Sequence, residues 1–196
     1  MFRFLFFSLV CALTVSAGAQ SVTDHSTAAK ADGALVDTLT ERHPEYQSSL
    51  PLGEVVPDFE AKDTLGNTVR LTDFRGSYVV LDFWATWCGD CRREIPMLKQ
   101  LYAEKKGLTI GGKAVRWLSF SFDTDANAWR HIVAKEQFEW TQVSNLLSTR
   151  DDPTFKAYQL HWIPAFLIID PEGRLVSTAI TADALRKNIM RAINNE

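Results

Sequence analysis

The sequence predicts a mixed α/β sheet with helices on both faces, and three observations carry that reading. Strand-like runs alternate with helical periods from Val55 onward, the order that buries a sheet between helical layers. Tyr78 to Trp84 is a continuous apolar run broken only by Asp82, the pattern of a strand covered on both sides. The chain closes on two strands joined by Asp170-Pro171-Glu172-Gly173, then a helical stripe at Leu185, Ile189 and Ile193, which reads as a hairpin and a final helix.

Length and composition set the frame. At 196 residues the chain has room for one ordinary domain plus extensions. With 46% apolar residues it can build a core without disulfide staples. The formal charge is −3, with no block of like charge, so the basic face that nucleic-acid binding needs is missing.

The first nineteen residues differ from the rest. Arg3 is their only charge, Phe4 to Val15 is apolar, and Ala17-Gly18-Ala19 gives the small-residue pattern that signal peptidase accepts. The apolar run falls short of the ~20 residues that span a bilayer. Residues 1–19 therefore read as a signal peptide rather than a retained anchor, and the protein is expected in the periplasm or cell envelope. Cys11 does not read as a lipidation site, because Ser8-Leu9-Val10 lacks the small residue expected before such a cysteine.

Residues 20–50 are rich in Ser, Thr, Ala and Asp and read as a flexible lead-in. Leu35, Val36 and Leu39 suggest a short amphipathic turn within it. The domain proper then occupies residues 51–196. Val55–Ala61 and Thr68–Leu71 read as two strands around a turn at Leu65-Gly66-Asn67. After Tyr78–Trp84, the residues Ile95, Leu98, Leu101 and Tyr102 recur at helical spacing, so Cys91–Lys105 reads as a helix. Val115–Phe122 is a second buried strand, and Ala126–Phe138 a helix with Trp129, Ile132 and Val133 on one face. Asp152-Pro153 has the residues of a helix start. Ala165–Ile169 and Leu175–Ile180 are the closing strands.

Without the signal peptide, the cysteines left are Cys88 and Cys91. A bridge across two residues restricts the unfolded chain very little. Reactivity is the better reason for it. The pair does not read as zinc ligands, since there is no second Cys pair and His25, His43, His131 and His161 are dispersed. A thioether haem link needs His after the second Cys, where Arg92 stands.

The segment Leu81-Asp-Phe-Trp-Ala-Thr-Trp-Cys-Gly-Asp-Cys91, with Trp162-Ile163-Pro164-Ala165-Phe166 further on, resembles the thioredoxin superfamily over roughly residues 55 to 196. Pro57-Asp58-Phe59, the Gly66–Leu71 stretch, Arg75-Gly76 and Cys91-Arg-Arg-Glu-Ile-Pro96 are similar to its exported TlpA/ResA-type branch. The resemblance implies a thioredoxin-like sheet with an N-terminal β-hairpin, a redox-active Cys88–Cys91 disulfide with no other cofactor, and a cis peptide before Pro164. It places Trp87, Ile163 and Pro164 in substrate binding. The chain departs from the branch in Gly89-Asp90 between the cysteines, and in Asp82 where Asn is common.

Physical chemistry agrees with these roles. A thiolate is the attacking species, and Cys88 precedes a helix, whose N-terminus favours negative charge. Cys91, one turn in, is placed to resolve the mixed disulfide. Asp82 sits in an apolar strand six residues before Cys88. It reads either as a proton acceptor for Cys91 with a raised pKa, or as a strand residue that reaches a backbone donor or solvent. Glu94 reads either as a solvated helix carboxylate or, by the resemblance, as a tuner of the thiols.

The resemblance implies a protein-disulfide oxidoreductase. Its clients would be exported proteins with disulfides or apocytochromes, and an external donor, a membrane thiol reductase, would recharge it. Asp90, Asp82 and Glu94 close to the sulfurs favour a reductant, with an oxidant or isomerase as the alternative. A thiol peroxidase would need Thr where Ala85 stands. A copper-delivery module using Cys88, Cys91 and His161 is a further alternative.

Overall fold

A computed structural model describes residues 35–36, 46 and 48–194. The signal peptide over residues 1–19, Cys11, Leu39 and most of the lead-in lie outside the described residues. The strands are β1 (Leu35–Val36), β2 (Glu60–Asp63), β3 (Thr68–Arg70), β4 (Tyr78–Trp84) and β5 (Thr109–Ile110), then β6 (Lys113–Ser121), β7 (Thr141–Ser144), β8 (Ala165–Ile169) and β9 (Leu175–Ala179). The helices are α1 (Gly89–Lys105), α2 (Ala126–Glu136), α3 (Pro153–Ala157) and α4 (Ala182–Asn194). Among the described residues no helix is long and apolar enough to cross a membrane.

β4 is the strand on which the sheet is built. It pairs parallel with β6, from Tyr78 opposite Val115 to Trp84 opposite Ser121, and antiparallel with β8. The sheet order is β1-β9-β8-β4-β6-β7-β2-β3, with β5 paired to the start of β6. Successive side chains of a strand point to opposite faces, and β4 shows both being filled. Val79, Leu81 and Phe83 join Phe120, Phe122, Trp129 of α2 and Tyr158 in one cluster. Val80 joins Leu98 and Leu101 of α1 and Leu185 and Ile189 of α4 in the other. The fold is the expected mixed sheet with flanking helices, extended by the β2–β3 hairpin.

That hairpin extends the sheet because β2 also pairs antiparallel with β7. Its turn is set by Asp63, whose carboxylate accepts the Leu65 and Asn67 amides at 2.8 Å, with Gly66 at φ 90°. A second carboxylate, Asp58, accepts both the amide and the hydroxyl of Thr72 at 3.0 Å. It pins the 3₁₀ turn Leu71–Phe74 that leads into β4.

Several boundaries depart from the sequence reading. The strand expected over Val55–Ala61 is regular only as Glu60–Asp63, with Val55 in a single bridge to Arg174. Pro57 has no N–H to give a ladder. Leu35–Val36 is not an amphipathic turn but an extended pair lying parallel to Ser177 and Thr178 of β9, so this part of the lead-in belongs to the sheet. The helix expected from Cys91 begins at Gly89. α2 stops at Glu136, where Gln137 turns left-handed at φ 54°. β7, which the polar run Thr141-Gln142-Val143-Ser144 did not announce, completes the sheet.

Phe83 is fully buried and lies against Phe120, Phe122 and Tyr158, with ring centroids 5.0–5.8 Å away. Truncation of such a ring costs the transfer energy plus a cavity, so Phe83→Ala is expected to destabilise the domain by about 3–5 kcal/mol. Urea unfolding measures this, and a loss below about 1 kcal/mol would contradict the core assigned here.

Candidate active site

The site lies at the C-terminal ends of the parallel strands β4 and β6, where α/β sheets place their chemistry. After β4 the chain turns through Ala85–Trp87 and enters α1. Cys88 is the last residue before that helix, in extended conformation at φ −78° and ψ 108°. Its Sγ accepts the Cys91 amide at 3.1 Å. A sulfur thus occupies the place where a Ser or Asp oxygen ordinarily caps a helix. The Cys88 carbonyl accepts the Arg92 amide at 3.1 Å, and the Cys88 amide bonds the Ala85 carbonyl at 3.2 Å.

Cys88 and Cys91 are disulfide-bonded, with Cα atoms 5.3 Å apart. Both are mostly covered, at 7% and 3% exposure, but they differ in what they face. Cys88 opens on a groove of about 390 Å³ lined by Trp87, Gly89, Asp90, Phe155, His161, Trp162 and Ile163. Cys91 is not part of that lining. The indoles of Trp87 and Trp162 stand exposed on its rim, whereas Trp84 is buried against Phe138. The Ile163–Pro164 peptide is cis, and the Ile163 carbonyl oxygen lies 3.5 Å from Cys88 Sγ.

Asp123 holds the turn before Cys88, and sequence reading missed it. Its carboxylate accepts the Thr86 hydroxyl at 2.6 Å, the Thr86 amide at 3.0 Å and the Ser121 hydroxyl at 2.6 Å. The register explains the meeting. Trp84 pairs with Ser121, so the residues two further along each strand are neighbours above the sheet. A lone Asp after a buried strand is a faint signal, and the hydrogen bond spans 37 residues.

Asp82 is buried on β4, between Ser119 of β6 and Phe166 of β8. Ser119 Oγ lies 2.9 Å from Asp82 Oδ2 and 2.8 Å from Trp140 Nε1. An indole N–H only donates, so the Ser119 hydroxyl accepts from Trp140 and donates to Asp82. Burial pushes the Asp82 carboxyl up to about 7, against the lowering effect of that one hydrogen bond. The cause of that rise is desolvation.

The other carboxylates lie differently from the sequence picture. Glu94 Oε2 accepts the Ala182 amide at 2.7 Å, the first residue of α4, whose N-terminal amides lack helical partners. Asp90 is ion-paired with Arg93 at the surface. Neither is a bare negative charge beside the sulfurs. Pro164 and Glu94 line a second cleft of about 270 Å³, with Tyr46, Asp90, Arg93, Trp162, Ile180 and Thr181. His161 is in the first groove, with Nε2 2.9 Å from Ser49 Oγ. Among the described residues no three His, Cys, Asp or Glu side chains converge as a metal-holding group.

Comparison with known proteins bears on this geometry. Residues 52–178 match the AhpC/TSA family. The thiol-disulfide oxidoreductase ResA of Geobacillus kaustophilus is 30% identical over 151 residues, covering 76% of this chain and 80% of that protein. The thioredoxin domain of a thiol-disulfide oxidoreductase from Bacteroides vulgatus superposes with a TM-score of 0.65 at 31% identity, over 74% of this chain and all of that one. A thiol:disulfide interchange protein from a Bacteroides species gives 0.63 at 31% identity, over 74% and 92%.

The burial of Asp82 has a consequence for stability. Folded, this carboxyl keeps its proton to about pH 7, whereas its ordinary value is 3.8. Between those values the folded chain binds the extra proton, so this group's contribution falls as pH rises and levels off above about 7. Asp82→Asn cannot ionise and removes that loss. Its stability relative to the wild-type oxidised protein is expected to be about 3 kcal/mol more favourable at pH 8 than at pH 5. Urea unfolding at both pH values measures this, and an equal difference at both would contradict it.

Proposed function

The chain belongs to the AhpC/TSA family and is a thiol–disulfide oxidoreductase, and from that premise we propose that it works outside the cytoplasm as a reductant of exported proteins or apocytochromes. The observation that carries this reading is the setting of Cys88: a sulfur capping α1, opening on an apolar groove, with a backbone carbonyl beside it. Export rests on the signal-peptide pattern of residues 1–19. The reaction needs no cofactor beyond the Cys88–Cys91 disulfide.

In the reduced protein the Cys88 thiolate attacks one sulfur of a client disulfide. A Cys88–client bond forms, the client S–S bond breaks, and the departing client thiolate takes a proton. Asp82 accepts the proton of Cys91, acting as a base with a value near the working pH. The Cys91 thiolate then attacks Cys88 Sγ, closing the internal disulfide and releasing the second client thiolate, which is protonated in turn. Two electrons pass from the protein dithiol to the client. A membrane thiol reductase, as external dithiol donor, returns them.

Trp87, Ile163 and Pro164 hold the client. The Ile163 carbonyl offers an extended client segment a backbone partner, as in strand addition. The direction of flow follows from what surrounds Cys88. A strong oxidant owes its potential to a stabilised reduced form. Here the Cys91 amide favours the thiolate, but the Ile163 carbonyl favours the protonated thiol. Asp90 and Arg93 offset each other in solvent, where such pairs count for little, and Asp82 is a buried carboxyl that titrates at about 7.

Two measurements test the proposal. Cys88→Ser is expected to abolish reduction of insulin, and Cys91→Ser to accumulate a mixed disulfide on Cys88; turnover retained in Cys88→Ser would contradict the roles. Equilibration with glutathione is expected to give a potential near that of thioredoxin, about −270 mV, and a value above about −180 mV would make the protein an oxidant or isomerase.

A further inference from the structure

Residues just upstream of the family match, which begins at residue 52, run against the loop that leads into Pro164. The Tyr46 ring lies 5.4 Å from that of Trp162, inclined at 42°. The buried Ser48 hydroxyl donates to the Tyr158 carbonyl at 2.6 Å. The Ser49 amide donates to the Gln159 carbonyl at 3.2 Å, and Ser49 Oγ and His161 Nε2 share a hydrogen bond of 2.9 Å. Tyr158, Gln159, His161 and Trp162 are thus each held by this short segment. Gln159 is left-handed at φ 47°, a conformation that non-glycine residues keep only where their surroundings fix it.

The held loop is the far wall of the site. Trp162 is 45% exposed and borders both clefts: the apolar one that Cys88 opens on, and the second one lined by Tyr46, Arg93, Glu94 and Pro164. A small disulfide needs to reach only Cys88. An extended polypeptide carrying a cystine is long enough to cross the Trp162 ridge and lie in both clefts. For such a client, a ridge already packed against Tyr46 spares the cost of ordering that side chain on binding.

We propose that Tyr46, Ser48 and Ser49 act as a strap that fixes Trp162 and makes this site selective for disulfides carried on polypeptide chains. The inference rests on the disulfide-exchange function proposed above and adds the element that chooses the substrate class. Tyr46 and Ser49 act through Trp162 and His161 and are positioning residues.

The full chain carrying Tyr46→Ala with Ser49→Ala is to be compared with wild type on two substrates, insulin and the small aromatic disulfide DTNB. The double variant is expected to lose about tenfold more kcat/KM on insulin than on DTNB, with the loss in KM, and Tyr46→Phe is expected to retain wild-type behaviour. Equal losses on both substrates would make the strap merely structural, and no loss on either would make it idle; each result overturns the proposal. A wild-type protein that reacts with DTNB but not insulin would instead overturn the function on which the inference rests.

Discussion

The Cys91 amide that reaches back 3.1 Å to Cys88 Sγ is the contact around which the site is arranged. A helix leaves its first amides without partners, and here one of them is given to a sulfur rather than to an oxygen. The sulfur is thereby held where positive backbone charge accumulates, and a negative thiolate is favoured there by about 0.3–1 kcal/mol or more. For that to work the turn before the helix must arrive at one angle. Asp123 ensures it by binding the amide and hydroxyl of Thr86 from the end of β6. At the helix's other contacts, Glu94 bonds the first amide of α4, so the two helices on that face are tied beside the site.

Asp82 supplies the second constraint. An ionised carboxylate in an apolar strand is costly, and this one is given one hydroxyl partner, not a cation. Trp140 fixes the direction of that hydroxyl, because its indole can only donate. The result is a buried carboxyl that titrates at about 7, in the range that the base proposed for Cys91 needs. A cation beside Asp82 would hold it ionised at neutral pH and take away the raised value on which the proposed base role depends.

Much of this was legible in the sequence. The run Tyr78–Trp84 marks β4 because a strand buried on both faces needs apolar residues at successive positions, and Asp152-Pro153 marks α3, where the Asp152 carboxylate accepts the Thr154 amide at 2.7 Å. α1 starts two residues before the boundary that the apolar period marks, because that period begins only at Ile95 and Gly89-Asp90 add no apolar residue to it. β7 was unreadable because Gln142 and Ser144 are polar yet buried. Of the site, Cys88, Cys91 and Pro164 were visible as local motifs. The partners of Thr86, Glu94 and Trp162 were not, because those contacts join residues brought together by strand register and helix packing, at separations no local pattern reports.

Cys88, the capping sulfur that faces the groove, is assigned as the reactive thiol, and Cys91, covered behind it, as the resolving one. Alkylation of the fully reduced protein with limiting iodoacetamide, read by peptide mass spectrometry across pH, tests this most directly. The geometry predicts that Cys88 is modified first, with its rate rising at lower pH than that of Cys91. Modification of Cys91 first, or of both at one rate and one pH midpoint, would contradict it.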